Sequence, residues 1–302
     1  MDSKGDGDMI IDSHTHYAHK RYDTEFPYLC EDGEGYGIRR ANREMLLDEM
    51  KENGIVGFIE PSIGFDAIEK QMSLVCSRRD CMWGAVGVHP TRCIHTSWGA
   101  RKALAEYAER FHSVAIGETG LDYHHPRMKQ HRLRQKRWFV YQIKLADRLQ
   151  LPLILHIREA DRDALRILKK YKHKLHGGVV HCFSGNYACA KEYIALGFAL
   201  GIGGKLLSST AEARLLEDAV SNVRLSDLLV ETDAPFVLPE TGELTCSKKQ
   251  CRKLCNSSLI LPNVIARIAD LREEESVIVE ETVYRNTLRV FRLNGKGERE
   301  HV

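Results

Sequence analysis

Residues 9–16 read MIIDSHTH, a short apolar run followed by an acid, a serine and two histidines one residue apart. Met9–Ser13 has the length and the side chains of a β-strand, and it ends on ionisable groups. The same form recurs along the chain. Ile55–Pro61, Trp83–Val88, Val114–Glu118, Leu151–His156, Gly178–Cys182, Gly197–Ile202 and Leu228–Asp233 are further short apolar or β-branched runs, making eight in all. Between them lie amphipathic stretches such as Arg132–Leu149, where Leu133, Val140, Ile143, Leu145 and Leu149 fall mostly at helical spacing. Strands alternating with helices are the sequence form of a parallel sheet with crossover connections. Eight of them predict closure into an α/β fold, the (β/α)8 TIM barrel.

The chain of 302 residues is long for an average domain, but a barrel of this kind takes about 250 residues as one unit. No internal repeat or Pro/Ser-rich linker divides it. The sequence therefore predicts a single domain over 9–293, with flexible tails at 1–8 and 294–302. Glu25–Arg40, EFPYLCEDGEGYGIRR, carries Pro27, Gly33, Gly35 and Gly37 after the first strand and reads as a long loop on the functional face. With 43% hydrophobic and 28% charged residues, the composition is that of a globular protein with a sizeable core.

The balance of 44 basic and 42 acidic side chains gives a net charge of +2, so any affinity for nucleic acid must be local. No run approaches the roughly 20 apolar residues of a membrane span, and no early stretch has the form of a signal peptide. Nine cysteines without an export signal point to reduced thiols and a cytoplasmic protein. Cys246, Cys251 and Cys255 are not spaced as the tight pairs of a thiolate zinc site. No obligate protein partner is indicated.

Ionisable residues are rare within barrel strands, yet His14, His16, Glu118, His156, His181 and Asp233 all stand at predicted strand ends. In a closed parallel barrel these ends meet at one rim, so the six residues are expected to converge. Imidazoles and carboxylates together form a nitrogen- and oxygen-rich site suited to divalent ions such as Mg, Mn or Zn. His14 and His16, as alternate residues, face the same way and can grip one ion. Taken one at a time, each of these residues reads more simply as a hydrogen-bonded polar group.

The strings IDSHTHY, GVHP, GETGLDY, LPLILHIREA, VVHCFSG and ETDAPF occur in this order between Ile11 and Phe236. Together they resemble the signature segments of the TatD family of metal-dependent deoxyribonucleases, within the amidohydrolase superfamily. The resemblance implies phosphodiester hydrolysis at a centre of two divalent metal ions. It assigns His14, His16 and Asp233 to one ion and His156 and His181 to the other, with Glu118 bridging them. Two cations roughly 4 Å apart need such an anionic bridge, and they make a hydroxide nucleophile available near neutral pH. Asp233 is then expected to orient that nucleophile and accept its proton.

His89 of GVHP is implied to contact substrate, at its phosphate or its leaving group. Arg158, two residues beyond His156, is a candidate partner for a phosphate oxygen, and Asp122 and His124 are candidate substrate or supporting groups in the loop after Glu118. Glu231 reads as a structural partner. His124–Arg137, HHPRMKQHRLRQKR, begins at the active rim and brings Arg127 and Lys129 within reach of a nucleic-acid backbone, whereas Lys169–His176 belongs to the opposite end.

One departure from the family pattern stands out. An Arg-Gly-x-x-Asn-x-Pro-like segment is replaced by PETGELTCSKKQCRKLCNSSLILP at Pro239–Pro262, where Asn256 alone is left as a counterpart. The reading that results is a deoxyribonuclease acting as an exonuclease on DNA ends. The alternatives are an amidohydrolase of a small cyclic amide, lactone or similar ester, which the same centre can serve, and a non-catalytic metal-binding scaffold.

Overall fold

The computed structural model describes residues 9–31, 36–240 and 253–293. The expected tails lie outside these residues, as do Cys246 and Cys251. Eight parallel strands form one sheet: β1 (Ile10–Asp12), β4 (Ile55–Pro61), β5 (Met82–Val86), β6 (Ala115–Asp122), β7 (Leu153–Arg158), β8 (Gly178–Val180), β9 (Phe198–Ile202) and β10 (Leu228–Val230). Closure runs from the last strand back to the first. The Ser13 N–H donates to the Val230 carbonyl at 3.0 Å, the Asp233 N–H donates to the His14 carbonyl at 2.9 Å, and Thr15 bridges Ala234 in parallel register. The (β/α)8 barrel expected from the alternation is therefore the fold.

Strand alternation divides the core into two layers. Inward-facing Ile11, Ile59, Ile154, Val179 and Leu229 fill the barrel, and Phe291 and Leu293 from the end of the chain pack beneath them. Outward-facing residues such as Ile10, Phe58, Leu155 and Leu200 join the helical layer. That layer includes α2 (Phe65–Ser77), α5 (Arg132–Leu149), α6 (Asp161–Lys170) and α10 (Ser276–Phe291), the α-helices being numbered in chain order. No described helix is long and apolar enough to cross a membrane.

Two expectations are corrected. Glu25–Arg40 is not an extended loop, because Phe26–Glu31 (β2) and Tyr36–Ala41 (β3) pair as an antiparallel hairpin. Buried Phe26, Tyr28 and Leu29 anchor it, and Leu29 and Pro27 exchange backbone hydrogen bonds with Cys255 at 2.9 Å each. Pro27 and Gly37, two of the residues that suggested a loop, stand within these strands, opposite Arg40 and Cys30. The fourth predicted strand also runs further than Glu118. It pairs with β7 from Thr119↔Leu155 to Asp122↔Arg158, so Asp122 is a strand residue and not a loop residue.

A candidate metal centre at the strand ends

The barrel rim brings together all six residues that stand at the predicted strand ends. Glu118, on β6, is nearly fully buried, and its two carboxylate oxygens face two different groups of imidazoles. Oε2 lies 3.6 Å from Nε2 of both His14 and His16, which follow β1. Those two nitrogens are 3.3 Å apart, and Asp233 Oδ1 stands 3.7 Å from the first and 3.3 Å from the second. On the other side, Oε1 lies 2.9 Å from His181 Nε2 and 3.0 Å from His156 Nδ1, with His89 Nε2 at 3.6 Å. The donors are nitrogen and oxygen only, they point into one space, and they include two carboxylates. That chemistry fits divalent cations.

Burial by itself disfavours charge on every one of these groups, so their protonation is set by their neighbours. Burial works against the His16 imidazolium, but hydrogen bonds and charge from Asp233 and Glu118 outweigh it and push its pKa up to about 10. Burial likewise opposes the Glu118 carboxylate, yet the charge of His181, His89 and His14 holds it well below the ordinary range. His89 goes the other way: burial and then the charge of His156 bring its pKa down to about 3. A neutral His89 accepts the Thr91 N–H at Nδ1 (3.2 Å), which leaves Nε2 with the proton, facing the site.

Behind the donors stands a second set of buried groups. Asp122 Oδ2 is 3.3 Å from His156 Nε2 and fixes that ring so that Nδ1 faces inward. Burial opposes ionisation of Asp122, but hydrogen bonds from His156 and the His124 backbone bring its pKa down to about 2. Glu231 is fully buried, accepts the Cys182 N–H and lies 3.5 Å from His181 Nδ1. Gly201 makes room for it, since a Cβ there would lie 2.2 Å from Glu231 Oε2.

Two groups here were not singled out from the sequence. Asp12 accepts from the His14 and Thr232 N–H groups (3.1 Å each) and from the Thr232 and Ser258 hydroxyls (2.6 Å each), tying the first strand to the last. Glu60 accepts from Thr15 Oγ1 and from the N–H groups of Tyr17 and Ala18 at 2.8–2.9 Å. Each is a carboxylate at a strand end, the same signal that marked Glu118 and Asp233.

The other expected contacts are dispersed. A cavity of about 480 Å³ opens over the centre and is lined by His89, Phe236, Arg92 and Arg127 among others. Arg158 and His124 are exposed and lie outside its described lining, and His124 Nδ1 is 2.6 Å from Glu159. Asn256 is buried and donates to the Thr232 and Val237 carbonyls at 3.0 and 3.1 Å, holding the turn that carries Asp233.

The profile of the TatD related DNase family matches residues 11–292, nearly the full length of the chain. The chain belongs to the TatD family. It is a metal-dependent hydrolase of ester bonds, and curated TatD relatives cover most of it. The "Uncharacterized metal-dependent hydrolase YabD" of Bacillus subtilis (strain 168) is 30% identical over 95% of this chain and 100% of its own length. The "3'-5' ssDNA/RNA exonuclease TatD" of Rahnella sp. (strain Y9602) is also 30% identical, over 84% of this chain and 94% of its own. Among solved structures, YJJV, a TatD homologue from Escherichia coli K12, superposes with a TM-score of 0.77 at 26% identity, covering 94% of this chain and 98% of that one.

Proposed function

We propose that this TatD protein is a two-metal phosphodiesterase that removes nucleotides from the ends of nucleic acid, DNA in the first instance. The observation that carries this reading is the division of labour at Glu118, whose two oxygens face separate imidazole groups. His14, His16 and Asp233 would hold one divalent ion, Mg, Mn or Zn, and His156 and His181 the other, with Glu118 shared between them. Ions bound there supply Lewis acidity towards the phosphoryl oxygens and lower the pKa of water.

The chain's own residues do the rest. Asp233, which lines the cavity, receives the proton of the attacking water. His89 offers its Nε2 proton as a hydrogen bond to a phosphate or leaving-group oxygen. Arg92 and Arg127, also in the lining, balance charge that grows on the phosphoryl group as the water adds. Asp122 and Glu231 hold the rings of His156 and His181. A cytoplasmic setting belongs to the same reading, in keeping with free thiols at Cys93, Cys182, Cys189 and Cys255.

The test is elemental analysis of protein dialysed against Mg, Mn or Zn, followed by digestion of end-labelled DNA. About two ions per chain and stepwise shortening of the label-bearing strand are expected. Protein that takes up no ion under any of the three conditions, or that leaves DNA intact when loaded, would end the proposal.

A further inference from the structure

We propose that a second hollow beside the metal centre, with Phe65 in its lining and Arg92 and His95 in the wall it shares with the first, is a subsite for the nucleotide that flanks the scissile phosphodiester in a single strand. The inference rests on the phosphodiesterase reading and adds to it where the rest of the substrate lies. The hollow measures about 430 Å³, and both Arg92 and His95 also line the cavity over the metal centre. Each space falls within the range of about 300–1,000 Å³ that encloses one drug-sized ligand. Together they suit two successive nucleotides of one strand.

The chemistry of the lining suits that occupant. Arg92, on the common wall, is placed to meet a phosphate between the two nucleotides. Its only described ion pair, with Asp66 at 3.6 Å, is between exposed groups and so holds it weakly. Phe65, half-buried and steadied by the Tyr107 ring at 6.2 Å, offers a face on which a base can stack. Thr96, Ser97 and the Asp66 carboxylate complete the polar side.

Beyond Ser97 the same alternation of cation and aromatic continues. Trp98 has the Arg101 guanidinium 4.3 Å and the Arg137 guanidinium 4.0 Å from its ring centroid. Aromatic faces set among guanidinium groups are how proteins follow a single strand without reading its sequence. The loop is also built in advance. Arg134 donates to the Cys93 and Thr96 carbonyls at 2.6 and 2.8 Å, and the Thr96 hydroxyl donates to the Arg92 carbonyl at 2.9 Å. A preformed loop binds with little ordering cost.

Two variants isolate the hollow: Phe65→Ala removes the stacking face, and Ala100→Trp fills the space without deleting a contact. Metal-loaded full-length protein would be titrated, with fluorescence anisotropy as the readout, into fluorescein-labelled single-stranded hexathymidylate made with hydrolysis-resistant phosphorothioate linkages. Both variants should weaken binding about ten-fold, in the range of one lost base stack. In parallel, hydrolysis of bis(p-nitrophenyl) phosphate, which is small enough for the metal cavity alone, should stay close to that of the parent protein. Unchanged hexathymidylate affinity in both variants, or an equal fall in the hydrolysis of the small ester, would overturn the subsite. If the parent protein binds hexathymidylate through Phe65 but hydrolyses no phosphodiester, the catalytic reading fails and the binding site stands.

Discussion

At the level of single residues, Glu118 is central to the site, because its two carboxylate oxygens face the two imidazole groups. Glu118→Gln keeps the shape and removes the bridging charge. Loss of about one of two ions, a fall in hydrolysis of several orders of magnitude and an unchanged circular dichroism spectrum are expected. Full metal content together with full activity would take Glu118 out of the centre. The protonation of its neighbours leads to a second expectation. An imidazole binds a cation only when deprotonated, whereas burial notwithstanding Asp233 and Glu118 push the His16 pKa up to about 10, and Glu118 raises that of His181 against its burial. Metal uptake at neutral pH must therefore displace protons, and affinity should climb as pH rises through and above neutrality. Calorimetry in buffers of different ionisation enthalpy measures this directly, and heats independent of the buffer would contradict it.

Among the elements, α2 and α5 do something that their helical pattern does not disclose. Pairing between β5 and β6 is limited to Ala85↔Ala115 and Val86↔Ile116, after which the ends of these strands need other partners. Buried glutamines supply them. Gln142 of α5 accepts the Val88 N–H at 2.7 Å and donates to the Val88 carbonyl at 3.1 Å, while Gln135, two turns earlier, does the same for Asp122 at 2.8 and 2.9 Å. Gln71 of α2 donates to the Ala85 carbonyl at 3.1 Å. Gln135→Leu would leave a buried N–H and a buried carbonyl at Asp122 unpaired, at about 1–3 kcal/mol for each group, so a loss of roughly 2–6 kcal/mol is expected in urea denaturation. A change below about 0.5 kcal/mol would mean that water replaces the amide. These amides also mark the limit of what the sequence discloses. The barrel and the six strand-end donors were legible because hydrophobic periodicity and a parallel sheet place them with no further information. The hairpin at Phe26–Ala41 was hidden because Pro27 and Gly37, residues that usually mark turns, stand inside its strands, and Gln135 and Gln142 looked like ordinary polar helix positions because their partners are distant backbone groups. Arg158 and Arg127 could not be ranked either, since the way a rim side chain turns depends on loops that periodicity does not describe.

For the molecule as a whole, 44 basic and 42 acidic residues leave almost no net field, so attraction to a polyanion has to come from where the charges stand. Arg92 and Arg127 line the cavity over the metal centre. Lys169 and Lys172 stand by a different hollow, at the end of α6 and beyond it, where Lys169 pairs with Glu192 at 2.5 Å. The barrel keeps these regions apart, because one gathers on the loops that follow the strands and the other on a turn that precedes β8. Salt dependence distinguishes them without reference to absolute affinity. Each phosphate neutralised on a single strand contributes about 0.7 to the slope of log K against log salt concentration. The double variant Arg92→Gln with Arg127→Gln should therefore flatten that slope by about 1.4. Lys169→Gln with Lys172→Gln removes the same formal charge and should leave the slope where it was. Equal flattening by both pairs would show that binding follows overall charge, and the rim would then have no special claim on the strand.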